Sequence, residues 1–130
     1  MTATIGFVAF LALTLVFLGC AVATGLQARR RLHLGAVAGA VLSLAVTIGW
    51  ALELGELYDL ASAGVITPIH LTLARVTTLC YLLPAATGLW TIRNPRKRRL
   101  HGRVAWFVLG LTVLTAVTGT VMLLRADRIA

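Results

Sequence analysis

Ile5-Gly-Phe-Val-Ala-Phe-Leu-Ala-Leu-Thr-Leu-Val-Phe-Leu-Gly-Cys-Ala-Val-Ala-Thr-Gly-Leu26 holds no charged side chain and no proline, and it stops just short of Arg29-Arg30-Arg31. A helix that crosses the hydrocarbon of a bilayer needs about 20 apolar residues. This stretch meets that length, and three more follow it: His33 to Leu57, Pro68 to Trp90 and Gly102 to Leu124. The chain has 130 residues, 59% hydrophobic and only 12% charged, too little polar surface for a water-soluble domain. The expected fold is all-α: an integral membrane four-helix bundle, one domain over residues 1–130, with helices at about 5–26, 33–57, 68–90 and 102–124.

The net charge of +8 would point to nucleic acid in a soluble protein. Here the placement of the charge decides its meaning. Arg29, Arg30 and Arg31 lie between the first two apolar stretches. Arg93, Arg96, Lys97, Arg98, Arg99 and Arg103 lie around the turn between the last two. All four acids, Glu53, Glu56, Asp59 and Asp127, fall toward the opposite membrane face. The positive-inside rule puts the basic loops in the cytoplasm and both termini outside, as for a multi-pass protein of a bacterial cytoplasmic (inner) membrane. The arginines read as topology signals in contact with anionic membrane lipids, not as a nucleic-acid surface.

The first stretch does not read as a signal peptide, because Met1 to Thr4 carries no basic side chain and the apolar run is too long for an h-region. Cys20 and Cys80 show no C-x-x-C spacing and read as packing residues. Gly35, Gly39 and Ser43 recur every fourth residue, a small-residue stripe that lets a helix, or a flat ligand, approach the backbone. Pro84 is expected to kink the third helix. Trp50, Trp90 and Trp106 fall where interfacial aromatic belts sit.

The chain also echoes itself. Arg30-Arg31-Leu32-His33 opens the second helix, and Arg98-Arg99-Leu100-His101 opens the fourth. Val37-Ala38 and Val104-Ala105 follow. Two hairpins running in the same sense would form a parallel repeat, related by an axis along the membrane normal.

Of the three histidines, His33 and His101 occupy equivalent repeat positions at one expected membrane depth. A bis-histidine haem needs two imidazoles on opposite porphyrin faces, each about 2 Å from iron. His33 and His101 are the candidate ligands of a haem b, with Arg31 and Arg99 placed to meet the propionates. Room for a porphyrin edge is expected at Gly35 and Gly39. The rival is an outer haem or copper site at His70 with Met122, while the alternative to any such site is that these are interfacial polar residues.

Arg75 lies inside the third apolar stretch. An arginine at mid-bilayer costs about 2.5–3.5 kcal/mol on insertion scales, so it is expected to find a partner. Glu53 and Glu56, at similar depth on the second helix, are the expected partners in a structural ion pair. No hydrolase, kinase or transferase constellation is present, and no catalytic residue is assigned.

The segments Pro68-Ile-His70-Leu-Thr-Leu-Ala74, Leu83-Pro84, Arg98-Arg-Leu-His101-Gly-Arg-Val-Ala105-Trp106 and Thr118-Gly119-Thr-Val-Met122 together resemble the CtaM/YozB-like family. These are small multi-helix membrane proteins associated with maturation of haem–copper oxidases. The family pattern has a histidine opening one helix as His-x-x-Leu-Ala, a basic-histidine step before Ala-Arg-Trp-like residues, and a late Val-Thr-Gly-Val run. His33 after its arginines matches the family's earlier basic-histidine step. The resemblance covers helices two to four and barely touches the first. Where the family tends to carry a methionine soon after its first histidine, this chain has Gly35 to Ala38.

The resemblance implies histidine-dependent haem or metal handling beside a respiratory complex. Two function classes follow. One is a haem-binding protein acting in assembly of, or electron transfer beside, a respiratory haem–copper oxidase. The other is a cofactor-free accessory subunit packed among the subunits of a larger respiratory or photosynthetic membrane complex.

Overall fold

The computed structural model describes residues 2–129. In chain order the elements are α1 (Ala3–Leu26), α2 (Arg30–Gly55), the short strand β1 (Tyr58–Asp59), a 3₁₀ turn (Leu60–Ala63), α3 (Ile66–Cys80), α4 (Leu82–Arg93), a second 3₁₀ turn (Pro95–Lys97), α5 (Arg98–Arg125) and β2 (Asp127–Arg128). Four helical segments are long and apolar enough to cross a bilayer: Ala3–Leu26, Arg30–Gly55, Ile66–Arg93 and Pro95–Arg125. The basic steps belong to the helices. Arg30 and Arg31 form the first turn of α2, and Arg98 and Arg99 that of α5, so both helices begin earlier than the apolar pattern implies. Arginine is a good helix former, which lets the helix extend past the apolar run.

The chain divides into two compact units, one reaching to Tyr58 together with Ile129, the other Asp59–Arg128. In the first unit, α1 and α2 pack antiparallel along their whole length. A tight turn joins them. Ala28, at φ 56°, takes the left-handed conformation just past the end of α1. Its N–H donates to the Gly25 carbonyl at 3.2 Å, and the Arg29 N–H to that of Thr24 at 2.9 Å, so two end carbonyls of α1 are satisfied.

The seam between α1 and α2 is small and hydroxyl-bearing. Ala36, Ala40, Ser43 and Thr47 of α2 are buried against Thr14 and Ala21 of α1. The Phe17 ring lies on Gly39, where a methyl group would stand 2.6 Å from Cε1, and the Trp50 ring lies on Gly6 in still closer contact. Gly35 faces open space. The small-residue stripe therefore does not act as one face: Gly39 and Ser43 meet α1, and Gly35 does not. The expected space for a porphyrin edge at Gly39 is taken by Phe17. A hydroxyl cluster closes the seam, with Thr14 Oγ1 3.0 Å from Ser43 Oγ and 3.3 Å from Thr47 Oγ1.

In the second unit, α3 and α4 both pack on α5. The third apolar stretch breaks at Tyr81, three residues before Pro84. Proline offers no N–H to the Cys80 carbonyl, and its ring crowds that same turn. The Tyr81 N–H is shared between the carbonyls of Thr77 (3.2 Å) and Thr78 (3.3 Å), and the chain resumes as α4. Hydroxyl pairs join the helices across this unit: Thr77 Oγ1 to Thr115 Oγ1 at 2.8 Å, and the Tyr81 hydroxyl to Thr112 Oγ1 at 2.7 Å.

Burial is inverted relative to a water-soluble protein. Thr14, Thr77, Ser43 and Thr47 are among the most buried residues, each at most 4% exposed, while Leu42 is 69% exposed and Leu52 70%. Outside water, helix association rests on close packing of small residues and on interhelical hydrogen bonds, since lipid tails solvate leucine as well as a protein core does. A surface this apolar suits a membrane protein.

Candidate functional site: three histidines seated on glycines

Each histidine sits in the first turn or two of its helix and meets a glycine on the antiparallel partner. His33, in the first turn of α2, reaches back to the end of α1. Its Nδ1 donates to the Ala21 carbonyl at 2.8 Å, and its ring edge lies over Gly25. The left-handed Ala28 makes this possible, because it reverses the chain sharply enough to bring α2 back onto the last turns of α1. His101, in the first turn of α5, lies over Gly88 of α4 with Nδ1 3.2 Å from Thr87 Oγ1. His70, one turn into α3, lies over Gly119 of α5 with Nδ1 3.1 Å from Thr118 Oγ1.

These bonds hold each ring at Nδ1. A carbonyl only accepts, so His33 carries its proton on Nδ1. The Thr87 hydroxyl already donates to the Leu83 carbonyl at 2.8 Å, and Thr118 to the Leu114 carbonyl at 3.0 Å. Both hydroxyl oxygens therefore accept from the imidazoles. The Ala21 carbonyl and the Thr87 and Thr118 hydroxyl oxygens are thus each placed to accept from an Nδ1–H. Metal-bound histidines use this arrangement: the Nδ1–H bond orients the ring and raises the basicity of Nε2.

The rings differ in how Nε2 is turned. A methyl group built on Gly25 would meet Nδ1 and Cε1 of His33 at 3.2 and 3.3 Å, with Nε2 farther than 4 Å. On Gly88 it would stand 3.9 Å from Nε2 of His101. On Gly119 it would meet Cε1 of His70 at 2.7 Å and Nε2 at 3.2 Å, so this ring enters the seam Cε1 first with Nε2 held close to α5. A methyl on Gly119 thus stands nearer Nε2 of its histidine than one on Gly25 or Gly88 does.

Arg31 and Arg99 are exposed in the first turns of α2 and α5. Met122 is buried at 6% exposure, one turn beyond Thr118 on α5. Arg75 is exposed on α3 of the second unit, and Glu53 and Glu56 are exposed on the first unit. Among the described residues, no group of three or more His, Cys, Asp or Glu side chains comes together as a metal site. Cys20 and Cys80 are free thiols, the first exposed and the second half-buried.

The glycine partners escaped the sequence reading. A signal existed for one of them, since Gly119 stands inside the Thr118-Gly119 run, but nothing local to Gly25 or Gly88 distinguishes them from packing glycines. Comparison with family models, characterised proteins and solved structures finds no match for this chain.

Proposed function

We propose that the chain is a multi-pass membrane protein that binds haem b, with His33 and His101 as its candidate ligands, and that it serves the assembly of, or electron transfer beside, a respiratory haem–copper oxidase. The carrying observation is the shared setting of these two imidazoles: each opens a helix after Arg-Arg-Leu, each meets a hydrogen-bond partner at Nδ1 on the antiparallel helix of its own unit, and each lies over a glycine there. A haem iron held there would supply one-electron chemistry. The protein's own contribution is ring orientation by Ala21 and Thr87, with the exposed guanidiniums of Arg31 and Arg99 available to propionates. In this reading the two hairpins repeat one plan, His33 on Gly25 and His101 on Gly88, with both basic turns in the cytoplasm of a bacterium and both termini outside. The charge asymmetry supports that orientation. The CtaM/YozB-like resemblance of helices two to four supports the link to an oxidase.

A second reading has its own observation. Every imidazole is bonded within its own unit, so the histidines also suffice as clasps between antiparallel helices in a cofactor-free accessory subunit. The visible spectrum of detergent-purified protein separates the two. A Soret band in wild type, lost in His33→Ala and in His101→Ala but kept in His70→Ala, is expected. Loss only in His70→Ala moves the site to that histidine, and folded wild-type protein without Soret absorption leaves the accessory-subunit reading.

A further inference from the structure

Arg75 stands nine residues into α3, about 14 Å along the helix axis from Ile66, inside a segment long and apolar enough to cross a bilayer. It is exposed, and among the described residues its guanidinium makes no hydrogen bond, ion pair or ring contact within its unit. The acids of that unit, Asp59 and Asp127, lie outside the helices. Asp59 Oδ1 accepts the Ala61 N–H at 3.0 Å at the start of a 3₁₀ turn, and Asp127 opens β2. Glu53 and Glu56 belong to the end of α2, the first in its last turn and the second at its C-cap, and both are exposed. Among the described residues, no helix of the chain carries an acid as far from its end as Arg75 is from the start of α3. A charge within the hydrocarbon is costly and is met by a protein partner.

The surroundings of Arg75 narrow that partner. Ile69, Thr72 and Val76 of α3 and Leu114 and Thr118 of α5 line an open groove. Residues three apart are neighbours on a helix, and a long side chain leans toward the helix N-terminus, so the stem of Arg75 runs over the turn that carries Thr72. Thr78 Oγ1 donates to the Ala74 carbonyl at 2.8 Å and Thr118 Oγ1 to that of Leu114 at 3.0 Å, whereas the Thr72 hydroxyl has no partner among the described residues. The walls are otherwise bare and apolar, Ile69 and Leu114 each being 51% exposed. A cation and a free hydroxyl thus edge an apolar trough between two helices. An acyl chain offers nothing to either polar group, and a lipid phosphate belongs to the interface above them. A transmembrane helix can present a carboxylate at any depth while its apolar side chains fill the trough.

We infer that the α3–α5 groove is the docking surface for a transmembrane helix of another protein, whose Asp or Glu pairs with Arg75 beside Thr72. This inference rests on no histidine and stands whether or not haem is bound. It differs from the ion pair expected from the sequence, because the carboxylate comes from a second protein and not from α2.

The probe is a synthetic transmembrane peptide of about 20 Leu and Ala residues flanked by lysines, with one Asp a turn and a half from its end, or Leu in its place. The full chain, in bicelles of phosphatidylcholine, carries a donor dye on Ser62→Cys in a Cys20→Ala/Cys80→Ala background, and the peptide carries the acceptor. The Asp peptide should associate at least fivefold more tightly than the Leu peptide. Arg75→Gln should remove that advantage, and Arg75→Lys should keep at least half of it. If Arg75→Gln loses its helical circular dichroism, Ile69→Trp, which fills the groove and leaves Arg75 in place, should weaken the Asp peptide at least threefold. Equal affinity of the two peptides, or an Asp advantage that survives Arg75→Gln, would overturn the inference. An advantage seen only in Glu53→Gln/Glu56→Gln would overturn it too, by showing that the chain's own acids hold Arg75. Arg75-dependent energy transfer between two labelled copies without peptide would give the groove to a second copy. Loss of peptide binding on adding phosphatidylglycerol to the bicelles would give it to lipid. Either result would overturn the assignment to another protein.

Discussion

The imidazole of His70 lies so close over Gly119 that a methyl group on that glycine would stand 2.7 Å from Cε1. A Cβ does not fit there unless the ring moves, and the ring is tied to Thr118 Oγ1 at 3.1 Å. Gly119→Ala should therefore destabilise the second unit by about 1–3 kcal/mol, the usual cost of overpacking. Thermal unfolding in detergent measures the effect. His70→Ala should recover most of the loss in the double variant, because it removes the clashing ring. An undiminished loss in the double variant would locate the strain elsewhere.

Gly35 and Gly39 make a matched pair of controls on α2. A methyl at Gly39 would meet the Phe17 ring at 2.6 Å, whereas nothing lies within 4 Å of one at Gly35. Gly39→Ala should cost about 1–3 kcal/mol. Gly35→Ala, which only restricts the unfolded chain and favours helix, should stabilise by about 0.4–1 kcal/mol. Comparable effects at the two positions would contradict the seam described for α1 and α2.

Ala28 holds a left-handed conformation, φ 56°, that costs an L-residue about 1–2 kcal/mol and a glycine far less. Ala28→Gly should raise the thermal midpoint of the detergent-solubilised protein, with a gain of up to about 1 kcal/mol after the extra freedom of glycine in the unfolded chain is offset. A lower midpoint would show that the turn is not strained as described.

The Thr14 hydroxyl stands 3.0 Å from Ser43 Oγ and 3.3 Å from Thr47 Oγ1. Interhelical hydrogen bonds within membrane proteins contribute about 0.6 kcal/mol each, with a maximum near 1.7. A double-mutant cycle of Thr14→Val with Ser43→Ala should return a coupling in that range. A value indistinguishable from zero would reduce the cluster to small-residue packing.

Orientation in the membrane is open to chemical labelling. In a background with Cys20 and Cys80 replaced by alanine, single cysteines at Gln27 and Asn94 should react with an impermeant maleimide only after the membrane is permeabilised. A cysteine at Ser62 should react in intact cells. The reverse pattern would invert the topology drawn from the positive-inside rule.

What the sequence by itself determined was set by composition and local chemistry. Four apolar segments of bilayer-spanning length, the segregation of arginines from acids, and the interruption before Pro84 all follow from side-chain hydropathy, charge and a missing N–H, none of which needs a partner helix. The recurrence of Arg-Arg-Leu-His was likewise visible as a pattern. Only the tertiary structure decided what that pattern touches. Whether Gly35 or Gly39 receives an aromatic ring depends on how α2 is rotated against α1, and a four-residue spacing is nearly, but not wholly, one face of a helix of 3.6 residues per turn. Trp50 reads as an interfacial aromatic in one dimension and is a packing residue on Gly6 in three. The seating of His33 on Gly25, His101 on Gly88 and His70 on Gly119 depends on the register between antiparallel helices. That register is set by turn geometry, including a left-handed alanine that sequence preference does not favour. The partner of each imidazole follows from that register too, because it is the carbonyl or hydroxyl of the opposing helix, brought within 2.8–3.2 Å, that meets Nδ1.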